Sequence, residues 1–334
     1  MLSARIMVGD AISRLRELPD GVVRTCVTSP PYWGLRDYGN DGQLGLEPTP
    51  QEFVEKLCQV FDEVRRVLAD DGTLWVNLGD TYASTSGMKQ NSPQRDTSGG
   101  LVNNRRDSRG QQSWTKGTTV RVEKRFDVKP KELVGIPWRF AFAMQDRGWY
   151  LRQDIIWAKP NPMPESVTDR CTKSHEYVFL LTKNPTYYFD HEAIKEPAIH
   201  AGNVVKAYKS GKNQTEQKFR DTATGGHDIS VGETRNKRSV WTVNTKGYKE
   251  AHFAVYPPEL ITPCVLAGSA PGETVLDPFS GSGTTGEVAL RNGREYIGIE
   301  LNPDYAELSE RRITEAVGMP VSYTHLTLPT TSRV

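Results

Sequence analysis

Residues 273 to 313, "ETVLDPFSGSGTTGEVALRNGREYIGIELNPDYAELSERRI", run in the order strand, glycine-rich turn, helix, strand, helix. A strand that returns through a helix to a second strand predicts a βαβ unit, and therefore a parallel sheet. The first 80 residues repeat the alternation: "RIMVGD" and "VVRTCVTSP" read as strands, with "DAISRLREL" as a short amphipathic helix between them. In "PTPQEFVEKLCQVFDEVRRVLADDG", Phe53, Leu57, Val60, Phe61, Val64 and Leu68 fall at helical spacing. Thr49 with Glu52 fits a capping box, Pro50 suits the first turn, and Gly72 is placed to end the helix. The strand "TLWVNLGD", the helix "ELVGIPWRFAFAMQDRGW" and the strands "YLRQDIIWAKP" and "EYVFLLTKN" continue the series, without any internal repeat.

Between these elements lie two polar stretches, and charge gives them meaning. The chain of 334 residues has 42 Lys+Arg against 41 Asp+Glu, so its overall balance predicts no polyanionic partner. Locally the picture differs. Residues 84–131 hold 11 basic and 4 acidic residues, a net +7, and residues 195–250 hold 11 and 6, a net +5. Structureless inserts beyond ~15 residues are usually functional or disordered. The four cysteines, Cys26, Cys58, Cys171 and Cys264, form no Cys-x-x-Cys pair, which argues against a zinc site or a disulfide framework and for an intracellular, cytoplasmic protein. No apolar run approaches the ~18 residues of a membrane span. Residues 321–334 share no pattern with the rest and read as a non-native tail, set apart from the fold.

The turn "GSGTTG", Gly281 to Gly286, satisfies G-x-G-x-x-G between strand and helix, with Glu300 ending the following strand. That layout admits a dinucleotide, and so a nicotinamide-dependent dehydrogenase. Asp277 argues otherwise, because an acid just ahead of the turn would repel a pyrophosphate. S-adenosylmethionine carries a sulfonium, an ammonium and a ribose but no phosphate, and suits Asp277 and Glu300 better.

"TSPPY", "DPFSGSGTT" and "GIELNPDY", in that order, resemble the β-class DNA amino-methyltransferases, in which the catalytic motif precedes the cofactor motif. The resemblance covers most of residues 4 to 315, including "WAKPNPMPESVTDRCTKSHEYVFLLTK" and "HFAVYPPEL", and is weakest in the two basic regions. It implies one α/β domain over residues 1–320: a doubly wound, mostly parallel, Rossmann-like methyltransferase sheet in circularly permuted motif order, with its penultimate or last strand antiparallel. The cofactor implied is S-adenosyl-L-methionine. Gly281 and Gly283, with Thr284, would let the backbone approach it, Phe279 would pack beside it, and Glu300 would hold its ribose. Asp10 would reach the adenine amino group, a role compatible with capping the helix in "GDAIS". Phe253 and Tyr256 would cover the methionine end.

The implied partner is duplex DNA with the target base extruded. A cognate restriction endonuclease and a monomeric or homodimeric state stay open. Arg105, Arg106, Arg109 and Lys116 in the first basic insert have the composition of DNA-contacting loops, and the family places target recognition in residues 191–250.

The catalytic motif has its own chemical logic. An exocyclic amino nitrogen is a poor nucleophile, because its lone pair is delocalised into the ring. Acceptors for both of its N–H groups favour a pyramidal nitrogen. Ser29 Oγ and the Pro30 carbonyl are suitable, with Pro31 fixing that carbonyl's direction. Tyr32 offers a stacking face, with the ring mattering more than its hydroxyl, and Trp33 would extend that surface. Ser rather than Asp at the first position leans toward cytosine N4, with adenine N6 the alternative. Pro263-Cys264 precedes the cofactor motif, unlike the nucleophile of carbon-5 methyltransferases, and His175 reads as a strand-edge residue. A catalytically inactive DNA-binding homologue would share these features without the chemistry.

Overall fold

The structure is a computed structural model that describes residues 2–34, 42–83, 128–199, 201–205, 229–230, 232–245 and 256–318. The chain runs β1 (Ala4–Val8), α1 (Ala11–Leu15), β2 (Val23–Thr28), α2 (Pro50–Val67), β3 (Leu68–Leu78), α3 (Ile136–Asp146), β4 (Tyr150–Ala158) and β5 (His175–Thr182). Four two-residue strands follow: β6 (Glu196–Pro197), β7 (Val204–Val205), β8 (Ile229–Ser230) and β9 (Thr234–Arg235). The chain then continues through β10 (Val240–Thr242), α4 (Pro258–Gly268), β11 (Thr274–Asp277), α5 (Thr284–Arg291), β12 (Glu295–Glu300) and α6 (Pro303–Val317).

Eight strands form one sheet in the order β1-β12-β11-β2-β3-β5-β4-β10. The first five are mutually parallel, and β5 runs antiparallel to both of its neighbours. The reversed strand was expected to be last or penultimate. It is third from its edge, because β10 pairs in parallel with β4 as an extra strand. At three residues, β10 is too short to declare itself by alternation.

Alternation across the pleat divides the core into two layers. Cys26, Leu74, Val76, Phe179 and Leu181 point to the face covered by α1, α2 and α3. Val27, Trp75, Val178 and Leu180 point to the face covered by α4, α5 and α6. The sheet is therefore wound on both sides. The helix expected from Phe53 onward forms as the spacing dictates, with Thr49 Oγ1 accepting from the Glu52 amide at 3.1 Å. It ends at Val67 rather than near Gly72. Gly72 already lies in β3, where a Cβ would stand 2.7 Å from the Arg24 carbonyl oxygen, so close strand approach, not capping, demands a glycine.

The first basic insert is described only from residue 128, the second region in part, and residues 321–334 not at all. No helix among the described residues is long and apolar enough to cross a membrane.

Candidate active site

From β11 the chain turns through α5 to β12 on one side, whereas from β2 it passes through α2 to β3 on the other. The carboxyl ends of β11 and β2 therefore bound a crevice, the switch point at which open α/β sheets bind ligands. Asp277 ends β11, and Ser29 follows Thr28, the last residue of β2. Thr28 Oγ1 donates to Asp277 Oδ1 at 2.6 Å, so the two motifs are joined where the strands end.

Asp277 is 1 % exposed, and both of its oxygens are engaged. Oδ1 accepts from Thr28 and from the Phe279 amide at 3.0 Å. Oδ2 accepts from Thr285 Oγ1 at 2.6 Å and from the Tyr256 hydroxyl at 3.1 Å. Burial pushes the carboxyl's pKa up, and these donors pull against that shift. Asp277 is thus the buried organiser of the crevice, bonded to Thr28, Phe279, Thr285 and Tyr256. Tyr256 is buried too, its hydroxyl also bonded to Thr285.

The turn after β11 divides its glycines by task. Gly281 has φ +52°, and a Cβ there would meet nothing nearer than the Phe279 carbonyl oxygen at 3.9 Å. Its amide donates to Glu300 Oε2 at 2.8 Å, while Glu300 Oε1 accepts from the Asn302 amide at 2.9 Å. Burial pushes Glu300 upward as well. Gly283, at φ +78°, caps α5 against Ser309 of α6. Thr284 turns away from the crevice: its Oγ1 accepts from Arg312 at 2.8 Å, and the same guanidinium reaches Ser282 Oγ at 3.0 Å and Glu287 at 2.7 Å. Phe279, half-buried, sets its ring 6.5 Å from that of Phe61. Asp10, at the end of neighbouring β1, caps α1 by accepting from the Ser13 amide and hydroxyl through Oδ1 alone.

Beside this turn stands the second motif. Pro30 is buried, and Ser29, Pro31 and Tyr32 are half-buried. The Tyr32 ring rests on the backbone of Gly79, where a Cβ would come within 2.5 Å of Cε2. Its hydroxyl donates to Glu176 Oε2 at 2.7 Å, with Asn77 Oδ1 at 3.3 Å.

Residues 23–311 match the family model for N6/N4 DNA methylases. The chain belongs to that family. It is 47% identical over 311 residues to the type II methyltransferase M.Cfr9I of Citrobacter freundii, covering 93% of this chain and 87% of the relative. To M.SmaI of Serratia marcescens it is 45% identical over 311 residues, covering 93% and 91%. Two solved structures share the fold. The PvuII DNA methyltransferase, cytosine-N4-specific, aligns with TM-score 0.59 at 18% identity over 95% of this chain and 92% of that one. A Thermus thermophilus protein complexed with S-adenosyl-L-methionine aligns with TM-score 0.58 at 24% identity, over 97% and 100%.

The protein is thus a DNA amino-methyltransferase with S-adenosyl-L-methionine as its cofactor, and the dehydrogenase reading is set aside. The crevice fits that group. Gly281 presents bare backbone to open space, and the Glu300 carboxylate beside it keeps acceptor capacity for ribose hydroxyls beyond its two amide bonds.

The structure brings Asp10, Asp277, Phe279, Gly281, Gly283, Thr284, Glu300, Tyr256 and the Ser29–Tyr32 motif to one edge of the methylase sheet. Trp33 departs from the expected surface. It is 6 % exposed in the core beside α2, its indole N–H donating to the Glu47 carbonyl at 3.2 Å. An irregular segment has no periodicity to separate inward from outward aromatics. Phe253, Arg105, Arg106, Arg109 and Lys116 lie outside the described residues. Cys264 is buried in α4, where burial pushes its thiol up, and His175 sets its ring edge-on to Tyr177 at the start of β5. Arg312, Asn77, Gly79 and Glu176 were missed by sequence reasoning. Only "NLGD" carried a signal, a strand ending in a glycine beside polar residues.

Proposed function

We propose that this methylase transfers the methyl group of S-adenosyl-L-methionine to the exocyclic N4 amino group of a cytosine extruded from duplex DNA. The observation that carries the reading is the Thr28–Asp277 bond. It holds the base-accepting motif after β2 against the cofactor turn after β11, so donor and acceptor meet across one crevice.

The cofactor supplies an electrophilic methyl group. The protein's residues orient what receives it. Gly281 and Glu300 hold the cofactor's backbone-facing side and its ribose, and Asp10, one strand further, takes its adenine end. Ser29 Oγ and the Pro30 carbonyl accept hydrogen bonds from the two amino N–H groups, drawing the nitrogen lone pair out of conjugation as it bonds; one amino proton passes to solvent as the cofactor leaves as the neutral thioether. Tyr32 stacks the extruded base. A serine hydroxyl at the motif's first position, in place of a carboxylate, favours cytosine. The basic stretches, residues 84–131 and 191–250, lie between the two motifs in sequence and supply phosphate contacts and target recognition within a single domain over residues 1–320.

Nucleoside mass spectrometry of DNA from cells expressing the protein tests the assignment. N4-methylcytosine is expected. N6-methyladenine would overturn the choice of base, and unmodified DNA from cells containing folded protein would overturn the reaction.

A further inference from the structure

Because β5 is reversed, its first residues, not its last, reach the edge where β2 and β3 end: Leu78 of β3 pairs with Tyr177, and Trp157 of β4 pairs with Glu176. Glu176 therefore enters the site from the opposite chain direction to every parallel strand. Its side chain is 15 % exposed and has three partners. Oε2 accepts from the Tyr32 hydroxyl at 2.7 Å and from Asn77 Nδ2 at 3.3 Å, and Oε1 is ion-paired with Lys159. Asn77 is itself fixed, donating to the Tyr177 carbonyl at 3.0 Å, and the Lys159 ammonium lies 4.1 Å from the centre of the Trp157 ring.

We propose that Glu176 is a positioning residue that fixes the axis of the Tyr32 ring by holding its hydroxyl, while Gly79 sets the plane of the ring by supporting it from beneath. The proposal rests on Tyr32 as the stacking platform and deepens that reading. A phenol ring attached to the end of a proline-rich turn can rotate about χ1 and χ2. Contact with Gly79 restrains one face, and the hydroxyl bond to Glu176 holds the far end. A charge-assisted bond of this length is stronger than a neutral one. Lys159 holds the carboxylate in place through its ion pair, and so acts on the ring at one remove. The hydroxyl thus carries weight that the ring-face reading of the motif does not give it.

The test is a double-mutant cycle in the full-length protein, read by single-turnover transfer of tritiated methyl to unmodified plasmid DNA. Glu176→Ala and Tyr32→Phe are each expected to slow transfer by about 10-fold, as loss of one hydrogen bond to a charged group implies. The double variant should be no slower than either single one. Glu176→Gln, which retains an acceptor, should recover most of the rate.

In protein labelled with [13C]tyrosine and free of DNA, the ring signal absent from Tyr32→Phe should be a single line in the wild type. It should broaden in Glu176→Ala and sharpen again in Glu176→Gln. Additive losses in the double variant, or a ring signal unmoved by Glu176→Ala, would overturn the proposal. Failure of the platform itself is told apart by Tyr32→Ala: full activity there removes the stacking role, whatever the NMR shows. Discovery that adenine is the methylated base leaves the cycle readable on that base.

Discussion

Gly283 stands so close to Ser309 that no Cβ fits between the glycine-rich turn and the last helix. Gly281, two residues earlier in the same turn, faces open space. A motif that reads as one cofactor loop therefore contains one glycine that packing demands and one whose surroundings leave room.

Alanine substitution should separate them. Gly283→Ala combines a left-handed backbone with an overlap and should cost about 2 to 4 kcal/mol of stability in urea unfolding. Gly281→Ala should cost only about 1 to 2 kcal/mol of stability, from its backbone conformation. Gly281→Val, which adds bulk toward the crevice, should weaken S-adenosyl-L-methionine binding by about 10-fold or more by calorimetry. Equal stability losses in the two alanine variants would remove the distinction.

Gly79 offers a test of the platform that leaves Tyr32 in place. A methyl group at residue 79 collides with the tyrosine ring, to which its three nearest atoms all belong. Gly79→Ala should slow methyl transfer by about 10-fold, in line with an overpacking strain of ~1 to 3 kcal/mol, while affinity for S-adenosylhomocysteine stays at the wild-type value. Wild-type transfer rates in a folded variant would show that the ring can sit elsewhere.

Ser29 and Tyr32 should fail in different ways. Tyr32→Ala removes a stacking surface worth about 1 to 3 kcal/mol per base and should weaken capture of the extruded base. Ser29→Ala should lower the single-turnover rate with little change in DNA affinity, because its hydrogen bond strengthens as the amino nitrogen becomes pyramidal. A Ser29→Ala defect confined to DNA binding contradicts this division.

Asp277 makes stability depend on pH in a predictable direction. Burial raises its pKa in the folded state. Its stabilising contribution is therefore complete below the unfolded carboxylate's value of about 3.9, and is lost as pH rises through the folded value. Asp277→Asn removes that dependence, though its amide nitrogen also takes the place of an oxygen that accepts from two donors. The difference in thermal midpoint, variant minus wild type, should grow more favourable to the variant between about pH 4 and about pH 7. A difference that stays flat across this interval refutes the raised value.

What could be read from the sequence follows from what is local. The turn at Gly281, the acids at Asp277 and Glu300 and the cap at Thr49 declare themselves through short-range spacing, and the structure assembles them at the strand ends. Glu176 was illegible because it opens a plain strand, "HEYVFLLT", where an acid reads as a solvated end residue. Its importance depends on the reversal of β5, and strand direction is a tertiary choice. Ser309 and Arg312 were hidden for a related reason. Their partners lie across a helix pair, and nothing within α6 marks the side that faces the turn.

The extra strand β10 determines how the segment before it rejoins the sheet. The segment between β5 and β10 is tied at its start by the amides of Tyr188 and Asp190, which donate to the carbonyls of Asp71 at 2.8 Å and Ala267 at 2.9 Å. At its end the Ile156 amide donates to the Ser239 carbonyl at 2.8 Å, and the Val243 amide to that of Ala158 at 3.1 Å. All four ties are main chain to main chain, so they are indifferent to the side chains between them. Both ends of the segment are thus fixed to the fold by bonds that do not depend on which side chains occupy those positions.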